Sequence, residues 1–119
     1  MDKSAWVERI RDSAIAAGTY RPYFDDVIDT LADILERRDV ARAMFEESGG
    51  VLIVPHTNKA GATNFEQNPL LRMVNDLNRD ALACWRDLGL TPAGLRRIDE
   101  QSMKQRKKSA LAEALKGLG

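Results

Sequence analysis

The fold turns on residues 68–89, "NPLLRMVNDLNRDALACWRDLG". Asn68 followed by Pro69 is a helix start, because an Asn side chain caps free backbone N–H groups and proline's fixed φ suits a first turn. Leu70, Val74, Leu77, Ala81, Cys84 and Leu88 then recur at alternating intervals of four and three, a heptad seam. Leu71, Met73, Leu82 and Trp85 widen the apolar surface, so this helix is expected to touch more than one neighbour. Gly89 ends it.

Upstream lies a second long helix. Arg21-Pro22 opens it, and Asp25, Asp26 and Asp29 follow where the helix dipole favours acids. Phe24, Val27, Ile28, Leu31, Ile34 and Leu35 form an apolar stripe, which resumes, rotated, at Val40, Ala41, Met44 and Phe45 and stops at Gly49-Gly50. A continuous helix over 21–48 would be about 42 Å long, more than a small globule needs. Between the two helices, Val51-Leu52-Ile53-Val54 reads as a strand. It is expected to pair with 62–66 across the turn Asn58-Lys59-Ala60-Gly61. Before them, a short helix capped by Ser4 runs to about Ala17, with Trp6, Val7, Ile10, Ala14 and Ile15 on one face. After them, Thr91-Pro92 starts a short helix through Ile98, and 101–118 is helical in propensity.

These elements predict a mainly α fold: a long antiparallel helical hairpin with a short β-hairpin or loop insert at its tip and short helices at both termini. Residues 1–98 read as a single helical oligomerisation domain, and 99–119 as a basic segment that is helical or mobile, or orders on a partner. The long arms bury little against each other in one copy, which points to self-association. The interface candidates are Leu70, Val74, Leu77, Ala81 and Trp85 on the seam helix, with Val51 and Ile53 in the insert.

Composition narrows the function. With 119 residues, 44% hydrophobic and 30% charged, the chain reads as one soluble domain. The N-terminus is charged and lacks the apolar core of a signal peptide, and no apolar run approaches a membrane span. Cys84 has no intrachain partner and His56 stands alone, so neither a disulfide framework nor a Cys/His metal site is expected, and a reducing cytoplasm fits. Asp25, Asp26, Asp29 and Asp33 share a helix side but lack a matching Glu-x-x-His set, so they read as a solvated face. Gly49-Gly50 is followed by no Lys-Ser/Thr of a phosphate loop, and His56 has no nucleophile near it in sequence. The expectation is a non-enzyme without cofactor or metal.

Formal net charge is zero, yet residues 1–50 hold 7 basic and 11 acidic residues, and residues 51–119 hold 11 and 7. Such halves attract each other between copies, and the basic half attracts phosphate. Arg96, Arg97, Lys104, Arg106, Lys107 and Lys108 form the densest positive region and are the DNA-contact candidates, with Lys59 in the insert. No aromatic residue interleaves the run, so base stacking is not expected there.

Two motifs add a resemblance. "HTNKAGATNFEQNP" (56–69), followed one helix later by "LGLTPAGLRRI" (88–98), resembles bacteriophage terminase small subunits, and so does "YFDDVIDTLADILERRDVARAMFEESGG" (23–50). The likeness spans roughly residues 20–98. Its signature positions are Asn58, Lys59, Gly61, Asn64, Asn68, Pro69, Leu90, Thr91 and Pro92. The resemblance implies a non-catalytic subunit of a viral DNA-packaging machine, in the cytoplasm of the infected bacterial host. It also implies a homo-oligomeric ring of about eight to ten or more subunits. Its partners would be double-stranded viral DNA and the large ATPase-nuclease subunit, which it recruits and regulates. Many such proteins carry an N-terminal helix-turn-helix, whereas only a short segment with Arg9 and Arg11 precedes the long helix here, so DNA contact could fall at either terminus. In a ring, the insert would reach a neighbour, with Val51–Val54 pairing edge to edge between copies. The reading from another class is a helical adaptor or transcription regulator that binds DNA as a dimer.

Overall fold

The structure is a computed structural model that describes residues 1–118. Along these residues, five helical elements and two strands follow one another. They are α1 (Lys3–Ala17), a 3-10 turn (Pro22–Phe24), α2 (Asp25–Glu47), β1 (Ile53–Thr57), β2 (Thr63–Gln67), α3 (Pro69–Asp87) and α4 (Pro92–Lys116). The helical hairpin with a β insert is the architecture expected from the sequence.

Helices α2 and α3 pack along their length, and α1 lies on the first half of α2. The core is the line where the three meet. Ile10, Ile28, Leu31, Ala32, Leu35, Ala81 and Leu88 are buried there, with Trp6, Tyr20, Phe24, Cys84, Trp85 and Leu90 packed against them. The heptad seam of α3 is therefore filled from within the chain at Val74, Ala81 and Leu88, which are 6%, 2% and 0% exposed. Val74 and Ala81 are buried where the antiparallel helix of the same chain packs on α3.

Helix α1 begins two residues earlier than its Ser4 cap would place it. Asp2 is the cap, its Oδ1 accepting from Ala5 N at 2.8 Å. Asp39 ties α1 to α2 by accepting from the Trp6 indole, from Arg38 and from the N-terminal amine. Lys3 bridges Asp29 and Asp33 at 3.1 and 3.2 Å. The acidic side of α2 is thus partly neutralised by α1, and these contacts raise the Lys3 pKa above its ordinary value.

The strands sit slightly later than the apolar run suggests, with Ile53 opposite Gln67 and Thr57 opposite Thr63. Asn68 sets this offset: its N–H donates to Leu52 O and its side-chain Nδ2 to Val51 O, both at 2.9 Å, so Val51 and Leu52 serve as the joint to α3. The larger departure is α4, where one unbroken helix replaces the predicted pair 92–98 and 101–118. Nothing between Asp99 and Ser102 breaks a helix, and the change at that point is from half-buried to exposed.

The chain is a rod of 82 × 30 × 21 Å. Its radius of gyration is 21.9 Å, against about 13–14 Å for a compact chain of this length. The β-hairpin leaves one end of the α2–α3 pair and α4 leaves the other.

Candidate nucleic-acid interface

The segment Leu88–Gly94 fixes where α4 goes. Leu88 is fully buried, and Gly89 turns the chain with φ 70°. A methyl group at Gly89 would lie 2.6 Å from Ile98 Cδ1 and 2.9 Å from Thr19 Cγ2. Thr91 Oγ1 then accepts from Gly94 N at 3.0 Å, and Pro92 occupies the first turn. At Gly94 the helix crosses α3 so closely that a Cβ there would collide with the Arg86 carbonyl. Leu90, Thr91 and Pro92 thus act as a mount for α4. At the other end of the hairpin, Asn58 Oδ1 accepts from Ala60 N and Ala62 N, both at 3.0 Å, and Gly61 supplies φ 82°. Asn68 is buried, and its Oδ1 accepts from Leu70 N at 3.0 Å, with Pro69 next in the first turn. Asn64 is exposed on β2 opposite His56.

From its mount, α4 keeps one face towards the body. Leu95, Ile98 and Ser102 are half-buried, and Ile98, Ser102 and Gln105 line a recess of about 260 Å³ with Thr19, Tyr23 and Phe24. The opposite face carries charge. At 3.6 residues per turn, Arg96, Arg97, Lys104, Lys107 and Lys108 fall within an arc of about 120°, spread along about 18 Å of helix, and Arg106 falls outside it. All six cations are exposed, and none takes part in an ion pair among the described residues, whereas Lys3, Arg11, Arg38 and Arg79 do. Glu100 is the one acid inside the arc. Gln101 and Gln105 border it, and with Lys104, Lys107 and Lys108 they form a shallow depression. An unpaired basic face bordered by amide donors suits a phosphate backbone beside exposed base edges. Lys59 lies apart, exposed at the β turn beyond the far end of the α2–α3 pair.

The arc escapes a reading by segments, because Arg96 and Arg97 align with Lys104, Lys107 and Lys108 only if the helix is continuous through residue 99. A second surface feature was also missed. Val40, Met44 and Met73 are about half exposed and, with Leu70 and Leu77, line an apolar groove of about 460 Å³ between α2 and α3. Of the interface candidates, Leu70 and Leu77 border that groove, Val51 and Ile53 are exposed on the insert, and Trp85 packs on the core.

Elsewhere the polar chemistry is sparse. A depression of about 550 Å³ between α1 and α2 is lined by Lys3, Arg11 and Asp29, which are already ion-paired, together with Ser4, Glu8 and Asp12. Burial raises the Cys84 thiol pKa, as for a packing residue. His56 Nδ1 lies 3.7 Å from Glu66 Oε1. Among the described residues no three His, Cys, Asp or Glu side chains gather as metal ligands, and no helix is long and apolar enough to cross a membrane.

Neither a curated protein nor a solved structure matches the chain. A family model described as "Phage terminase, small subunit" matches residues 3–105, from the start of α1 into the basic face of α4. The chain therefore belongs to that family.

Proposed function

We propose that this phage terminase small subunit is the non-catalytic, DNA-recognising part of a packaging terminase, and that α4 is its DNA-contacting element. The observation that carries the reading is the unpaired arc of Arg96, Arg97, Lys104, Lys107 and Lys108 on the face of α4 turned away from the body. The N-terminal alternative is weaker: Arg11 is ion-paired to Asp25, and Arg9 lies over the Trp6 ring, 5.6 Å from its centroid. Copies of the chain assemble into a ring, which multiplies the arc and brings several α4 helices to one duplex. The apolar groove between α2 and α3 is the ring contact we favour. The ring delivers viral DNA to the large ATPase-nuclease subunit in the cytoplasm of the infected host and regulates that subunit without catalysing a step itself.

The test is the salt dependence of binding to double-stranded DNA by fluorescence anisotropy. Reversing Lys104, Lys107 and Lys108 to Glu should weaken binding strongly and reduce the slope of log K against log salt by about 0.9 for each phosphate no longer neutralised. Arg106→Glu, off the arc, should do less, and Glu100→Gln should tighten binding. Unchanged affinity on reversing the arc would move DNA binding away from α4. A native mass of many subunits supports the ring, and a mass that never exceeds two subunits would count against it.

A further inference from the structure

The β-hairpin has two outer edges, and the ladder shows that they are unlike. Asn68 N donates to Leu52 O, and Asn58 N donates to Ala62 O, both at 2.9 Å. The pairs 52–68 and 58–62 are therefore bonded pairs that bracket the ladder. Bonded pairs alternate along an antiparallel ribbon, so Val54–Glu66 and His56–Asn64 are the bonded pairs within it. The main-chain groups of Ile53, Pro55 and Thr57 then face outwards from β1, and those of Thr63, Phe65 and Gln67 face outwards from β2. Pro55 has no N–H, so the β1 edge is interrupted at its centre, a common way of blunting an edge strand. The β2 edge keeps every donor and acceptor. The same alternation puts Ile53, Pro55 and Phe65 on one face of the ribbon, and that face is open: Ile53 is 59% and Phe65 76% exposed.

We propose that the β2 edge is a pairing site for β2 of a second copy, joined antiparallel about a two-fold axis through Phe65. The sequence of β2 is self-complementary in this register. Thr63 faces Gln67 of the second copy, Phe65 faces Phe65, and Asn64 faces Glu66, so no like charges meet. Centring the axis on Glu66 instead would set two carboxylates opposite each other. The outward groups of Thr63, Phe65 and Gln67 all become bonded, giving a four-stranded sheet. Its apolar face then gathers Ile53, Pro55 and Phe65 from both copies. Nucleic acid does not fit this edge, where Lys59 is the one cation between Val51 and Asn68. The pairing also differs from a ring contact. It is isologous and closes at two copies, so it joins chains, or whole rings, in pairs through their tips.

Phe65→Pro is the decisive variant. It copies the plug that Pro55 places in β1, and it leaves the intrachain ladder alone because the Phe65 N–H takes no part in it. Native mass spectrometry should show the particle mass halved, with the helical circular dichroism unchanged. Thr63→Pro removes a different outward donor and should act alike, which guards against a local distortion at 65. In a Cys84→Ala background, Phe65→Cys should form a disulfide-linked dimer under mild oxidation, because Cα atoms of a bonded pair lie about 5.5 Å apart. Thr57→Cys on the blunted edge should not. The proposal stands only if the halved mass and the 65–65 link are both seen, and it falls if either is missing. It falls too if Phe65→Pro leaves the mass alone and instead weakens capture by the purified large subunit. Charge reversal on α4 should not change the mass, so this outcome is separable from the DNA reading.

Discussion

The indole Nε1 of Trp6 on α1 donates to Asp39 Oδ2 on α2 over 2.8 Å, across 33 positions of sequence. Two guanidinium groups lie over the Trp6 ring, with Arg9 Cζ 5.6 Å and Arg38 Cζ 5.5 Å from its centroid. One side chain thus combines an apolar body, a charged hydrogen bond and two cation–π contacts in joining α1 to the hairpin.

Trp6→Phe keeps most of the packing and removes the donor. Asp39 retains Arg38 and the N-terminal amine, so the loss should sit near the low end for a charged hydrogen bond, about 1–2 kcal/mol. Thermal unfolding should show a fall of several degrees in Tm.

The same carboxylate sets a pH dependence. Burial pushes the Asp39 pKa up, but the hydrogen bonds from Trp6, Arg38 and the N-terminal amine outweigh it and hold the value below the ordinary 3.8. A depressed carboxylate adds stability above its unfolded pKa and loses it as pH falls through the folded value. Stability measured by urea titration should therefore decline below about pH 3.8. Asp39→Asn should be less stable at neutral pH and should show a shallower decline in acid.

Gly94→Ala places a methyl against the Arg86 carbonyl. Overpacking of this kind costs about 1–3 kcal/mol. The added methyl tilts α4 off α3, so hydrogen exchange should quicken at the amides of Leu95 and Ile98 while α2 amides stay protected.

Asn68 both caps α3 and holds Val51, with acceptor and donor on one side chain. Asn68→Asp keeps the cap and loses the donor to Val51 O. Asn68→Ala loses both, at about 1 kcal/mol or more for the cap alone. The order of Tm should be wild type, then Asp, then Ala, and the Ala variant should lose exchange protection in β1 and β2 first.

Local chemistry made much of this legible. The caps at Asn68-Pro69 and Thr91-Pro92, the turn Asn58–Gly61 and the α2 stripe each act within a few residues, and each element sits where those signals place it. What covers an apolar seam is a different question. The spacing of Val74, Ala81 and Leu88 says only that something packs there, and α2 of the same chain is a nearer partner than another copy. Continuity was the harder matter. The apolar pattern stops after Ile98 because the body stops there, while helical propensity runs on. Dividing the chain at that point hides the alignment of Arg96 and Arg97 with Lys104, Lys107 and Lys108. The unlike edges of the β-hairpin depend on which pairs are bonded, and the letters alone do not say which of the two alternating sets that is.

The slender outline of the subunit has a hydrodynamic consequence. A 13.3 kDa particle 82 Å long and 21 Å across its thinnest direction drags far more solvent than a sphere of its mass. A free protomer will elute early from a sizing column and pass for a larger species, and its diffusion along the rod axis will outpace diffusion across it. Stoichiometry must therefore be read from scattered intensity or from mass itself. A sedimentation coefficient that rises less than expected for each added copy would show rods joining end to end, whereas side-by-side packing would raise it more steeply.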